Sequence, residues 1–182
     1  MRAPDEREVL LRMLADQRTA VRNALLGLTE EQARATPSAS SLSLSALVKH
    51  LTQGERVVAG RVGGRPVADG APQADWMAGF TVGAAETVEV LLDRWADVAS
   101  ETEEVVRAEP DLDRVVALPD AVTRWMPPGT VPTVRWLVLH QIQEQARHAG
   151  HADVIRESID GKGAWQLEAE AQGIAAPGWA RD

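Results

Sequence analysis

Cysteine is absent from the 182 residues, which removes disulfides, thiolate metal ligands and a cysteine nucleophile together. That absence is compatible with a reducing compartment. Lysine is nearly missing too, since only Lys49 and Lys162 stand among the nineteen basic residues. Against 27 acidic residues these leave a net charge of −8 and a pI near 5.0. With no clustered basic patch to offset it, such a chain is a poor match for nucleic-acid phosphates. No eighteen consecutive residues are apolar, and the opening MRAPDEREVLLRML has neither the apolar core nor the cleavage site of a signal peptide. The expectation is a cytoplasmic protein without membrane spans. Internal repeats and strand-like alternation of useful length are also lacking.

What is present suits one domain. Hydrophobic residues make up 45% and charged residues 25%, ordinary for a globular chain, and the length fits one buried core better than two. We read residues 1–182 as a single helical bundle. A first helix is expected from Asp5 to Gly27, with Leu10, Met13, Leu14, Val21 and Leu25 on one face, and TEEQAR could add a turn capped by Thr29. A second should start near Ser43 or Ser45 and run to about Val62, with Leu44, Leu47, Val48, Leu51 and Val58 inward. The third is expected from about Val82 to Arg107, with Thr81 as cap and Leu91, Trp95 and Val98 inward. The fourth is expected from Thr133 to about Asp160. GGRPVADGAPQ and the stretch Pro110 to Pro132 read as long connections, and the tail from about residue 161, with Trp165, Pro177 and Trp179, as irregular. The pattern is an all-α four-helix bundle with at least one crossover.

The fourth segment, TVRWLVLHQIQEQARHAGHADVIRESID, organises the rest. At roughly 100° per residue, Leu137, His140, Glu144, His148, His151 and Ile155 fall within an arc of about 80°. A stripe of unpaired ionisable groups facing a core costs several kcal/mol, so it needs a metal, an ion pair or a wet cavity. Of four histidines three lie here, and the fourth is His50 on the second helix. Glu144 and His148 are one turn apart, within reach of a single ion, and His50 from a facing helix would complete two imidazoles and a carboxylate. Three protein ligands leave positions open, the pattern of catalytic zinc, and the same set describes a triad for iron(II) or another divalent ion. His140 and His151 share the arc as rival ligands or supporting groups. The bland alternative is a solvated Glu144 ion pair and a satisfied His50. Arg135, Arg147 and Arg156 read as surface ion pairs, and the six tryptophans as core and loop anchors.

The segments SLSALVKHLTQGE and VRWLVLHQIQEQARHAGHADVIRESIDG resemble the two signature segments of the DinB-like superfamily. They are most similar to its actinobacterial branch and to mycothiol-dependent maleylpyruvate isomerases. The resemblance implies a four-helix bundle with a divalent metal at one end. Its ligands would be a histidine on the second helix and an H-x-x-x-H or E-x-x-x-H pair on the fourth, carried over here as His50, Glu144 and His148. Glu144 replaces the first histidine of the commoner pattern, and His151 stands where glutamine is often found. The implied metal is zinc first, with nickel or iron as alternatives. The implied activity is transfer or isomerisation dependent on a low-molecular-weight thiol, and in a chain without cysteine the sulfur would come from a co-substrate such as mycothiol. Its partner would be a small electrophile, the metal activating a thiolate or water, with His151 or His140 as proton carrier. A non-enzymatic, metal-stabilised stress-response or binding bundle is the alternative function. An apolar surplus on the first or third helix would favour a homodimer.

Overall fold

The computed structural model describes residues 5–67, 79–124 and 126–175. Four long helices each start on a side chain that accepts a hydrogen bond from the first turn, relieving backbone donors that have no helical partner. Asp5 caps α1 (Glu6–Ala24) through the Arg7 N–H. Thr29 and Gln32 close a reciprocal box on the short α2 (Glu30–Arg34). Ser43 caps α3 (Leu44–Val62) and Thr87 caps α4 (Val88–Ala108). A four-residue α5 (Asp120–Thr123) follows, then Thr133 caps α6 (Val134–Asp160), which stops at Gly161 with φ +79°. The last element is α7 (Ala164–Gln172).

The chain is all helical apart from one antiparallel bridge, Val115 with Thr133, among the described residues. Helices α1, α4, α3 and α6 form a ring of neighbours, α3 on α4 and α6, α1 on α6 and α4. Side-chain pairings set the directions. Glu6 meets Arg135 and Ala24 meets Arg156, so α1 and α6 run parallel; His50 meets His148 and Glu55 meets Gln145, so α3 and α6 run antiparallel. Lys49 meets Glu86 and Glu55 meets Trp95, so α3 and α4 are parallel too, and the connection after α3 must return along the bundle. That is the expected crossover.

Two apolar clusters fill the interior. One gathers Val21, Leu44, Leu47, Leu51, Leu91, Trp95 and Ile155; the other gathers Leu10, Leu14, Val58, Val62, Val106, Val134 and Leu137. Between them lies a polar layer centred on Glu55, which is 0% exposed. Its carboxylate accepts from Arg18 of α1 with both oxygens, from Trp95 Nε1 of α4 at 2.9 Å and from Gln145 Nε2 of α6 at 2.8 Å. One side chain thus joins all four bundle helices.

Several expectations are corrected. The third long helix begins at Val88 rather than about Val82, because Glu86 Oε2 accepts from the Gly83 N–H and from Lys49 and holds that stretch as a turn. The tail is not irregular from residue 161: Leu167 is 1% exposed and docks α7 on α1. Met13 is 48% exposed, its place on the core face of α1 taken by Leu11. Arg156 is buried, donating to the carbonyls of Ala24 and Leu26 at the end of α1 and pairing with Asp160, whereas Arg135 is the expected surface pair with Glu6. Trp95 is a core anchor, but Trp165 is exposed; Trp76, Trp125 and Trp179, with Pro72 and Pro177, lie outside the described residues. Among the described residues no helix is long and apolar enough to cross a membrane.

Candidate metal centre

The core face of α6 runs through Val134, Leu137, Val138, Gln141, Gln145, His148, Ala152 and Ile155. It is centred about a quarter of a turn from the stripe inferred by spacing. His148 therefore points inward, Glu144 and His140 lie on the margin facing α3, and His151 is exposed. His50 sits on the matching margin of α3.

That offset brings the expected three together. His50, Glu144 and His148 each offer one ligand atom, all within 4.8 Å of one another. Glu144 Oε2 is 3.9 Å from His148 Nε2, and the His50 and His148 rings meet edge-on with centroids 4.9 Å apart. Phe80, arriving from the return connection, stacks on His50 at 4.2 Å and 17°. Behind the cluster, His151 Nδ1 lies 3.3 Å from His148 Nδ1, and which nitrogen donates depends on the tautomer.

Burial decides the charge states. Desolvation first, then the neighbouring His148, hold His50 down at about 4, against a partial lift from Glu144. Desolvation likewise lowers His148, with Glu144 opposing and His151 and Arg147 adding to the drop. Both imidazoles are thereby held towards the neutral form beside the Glu144 carboxylate. A divalent ion fits this donor set of two neutral nitrogens and one anionic oxygen.

The cluster stands at one end of a cleft of about 360 Å³ between α3 and α6. Its walls are largely apolar, with Val57, Val58, Leu118, Val122 and Leu137, while Gln53, Gly54 and Gln141 lie nearer the cluster. His140 lines the wall and stacks on Trp136 at 4.9 Å and 11°. At the far end Arg61 donates to the Ala117 carbonyl at 3.3 Å. Three neighbours of the site escaped the spacing argument: Phe80, Gln141 and the Glu55–Gln145 bond that sets α3 against α6. The glutamines did leave a signal, since 141 and 145 are one turn apart and continue the line of Val134, Leu137 and Val138.

A family model described as mycothiol-S-transferase matches residues 9–161. Among solved structures, a conserved protein from Enterococcus faecalis superposes with a TM-score of 0.68 at 17% identity, over 88% of this chain and 100% of that one. That likeness is one of fold. No curated protein matches the chain.

Proposed function

Because the chain belongs to the mycothiol-S-transferase family, we propose that it transfers a low-molecular-weight thiol, mycothiol or a close analogue, to a small electrophile, using a divalent ion held by His50, Glu144 and His148. The observation that carries this reading is three ligand atoms within 4.8 Å at the end of a largely apolar cleft. Zinc is the first choice for two imidazoles and a carboxylate, with nickel or iron as alternatives. When bound, the ion supplies Lewis acidity that lowers the pKa of a thiol brought to it.

The chain's own residues do the rest. His148 turns Nε2 towards Glu144 and Nδ1 towards His151; with Nε2 on the ion, Nδ1 would carry the proton and donate to His151, which would hold the ring in place. Phe80 and the buried wall of α6 keep water off one side of His50. The apolar stretch of Val57, Val58, Leu118 and Trp136 receives the electrophile and orients its reacting carbon towards the sulfur. In the transfer a carbon–sulfur bond forms as the carbon–halogen bond of a model electrophile breaks, the halide leaving with the electron pair. The thiol proton passes to His140 on the cleft wall and then to solvent.

The test is mycothiol transfer to a chloro-substituted aromatic electrophile, with metal content measured on the same samples. The expected outcome is near-stoichiometric metal and turnover in the wild type, both lost in His50→Ala/His148→Ala. Metal-loaded wild type with no rate above the double variant would remove the transferase reading. If stripping the ion also unfolded the protein, a metal-stabilised binding bundle would replace it.

A further inference from the structure

Gln141 precedes Glu144 by three residues on α6, which places it about 4.5 Å along the axis from the ligand cluster, inside the cleft. It is 3% exposed, lines the cleft with His50, Gly54 and Glu144, and no group hydrogen-bonds its side-chain amide among the described residues. Across the cleft is Gly54, where a Cβ would lie 3.9 Å from Gln141 Oε1. The glycine keeps α3 thin where the amide faces it. One turn further on, Gln145 is sealed in the core and donates to Glu55. The two glutamines thus share a face but not a task. Its amide carries one acceptor and two donors, faces the cleft and is not sealed from solvent. A ligand that offers both a donor and an acceptor to Gln141 replaces solvent there without losing a hydrogen bond, whereas one that offers only acceptors leaves part of the amide unmet.

We propose that Gln141 binds the secondary amide of the thiol co-substrate, its Oε1 accepting the amide N–H and its Nε2 donating to the amide carbonyl. The inference rests on the proposed function, which puts the sulfur at the His50–Glu144–His148 end. An amide nitrogen two carbons from the sulfur, as in an N-acylated cysteine, reaches the level of Gln141. A plain alkanethiol has nothing to offer there. The amide then lies on the α6 side, and the apolar length towards Arg61 stays open for the electrophile.

A matched pair of thiols tests this: N-acetylcysteamine and 2-mercaptoethyl acetate, which differ only in an amide N–H replaced by an ester oxygen. Each is titrated into cobalt(II)-loaded protein, and the near-ultraviolet sulfur-to-cobalt band reports binding without any turnover. The wild type should bind the amide about tenfold more tightly, the effect of one unmet buried hydrogen bond. Gln141→Leu should keep the band and bring the two thiols to equal affinity. Equal affinities in the wild type, a comparison that needs no variant, or a preference that survives in Gln141→Leu would overturn the proposal. A band of equal strength with both thiols leaves the proposed function standing, whereas no band with either removes that function and this inference together.

Discussion

His151 lies within hydrogen-bonding reach of His148 Nδ1, the ring nitrogen other than the one that faces Glu144. If it orients the ring rather than holding the ion, His151→Ala should keep one ion per chain but bind it about 10- to 100-fold more weakly, the range for losing such a partner. Competition with a chromogenic chelator measures this, and stoichiometry falling as expected for His50→Ala/His148→Ala would make His151 a ligand. At this scale the readable residues were the ionisable ones. His50, Glu144 and His148 stand out because an imidazole or carboxylate on an inward arc demands an explanation. Gln141 and Gln145 carry no charge and pass for surface residues, although 3% and 0% exposures put them among the most buried polar groups. Phe80 could not be placed, because nothing in its spacing states where the return connection ends.

Among the elements, α6 matters most because it carries both Glu144 and His148. Its first turn hangs on the Thr133 hydroxyl, which accepts from the Trp136 N–H at 3.2 Å. Thr133→Ala should cost about 1 kcal/mol in urea denaturation, the typical value of such a cap. Trp136 lines the cleft, so that loss also loosens the wall beside His140. The boundaries of α1, α3 and α6 were readable because a capping residue stands directly before each apolar periodicity. The start of α4 was not. Thr81 and Thr87 are each followed by valine, and the choice between them rests on Glu86 reaching Gly83 and Lys49, a tertiary arrangement absent from any local pattern. The tail misled for a related reason: α7 is stabilised by docking Leu167 on α1, not by its own short sequence.

For the whole molecule, acid stability follows from carboxylates engaged outside the candidate ligand set. The Lys49 ammonium, then the Gly83 N–H, hold Glu86 below its ordinary 4.5. Arg114 does the same for Glu109, where α4 meets the connection to α6. A folded-state pKa below the unfolded one contributes stability that is complete above the unfolded value and fades as pH falls towards the folded one. Glu109→Gln should therefore lower the melting temperature most near neutrality, and the gap to wild type should close as pH drops below 4.5. A gap that stayed constant would assign the cost to packing. The four-helix architecture was readable at this scale because helix number and amphipathicity are local properties. The single carboxylate that joins the helices was not, since it emerges only from their mutual placement.

That carboxylate also bears on how the chain reaches its native state. Glu55 draws its donors from residues 37, 40 and 90 positions away, so they come together only when distant parts of the chain have met. A bundle lacking α1 or α6 would leave the charge with fewer donors than the complete one supplies. Half-built bundles are penalised and the complete one is not. The buried charge thus ties the stability of each helix to the presence of the other three.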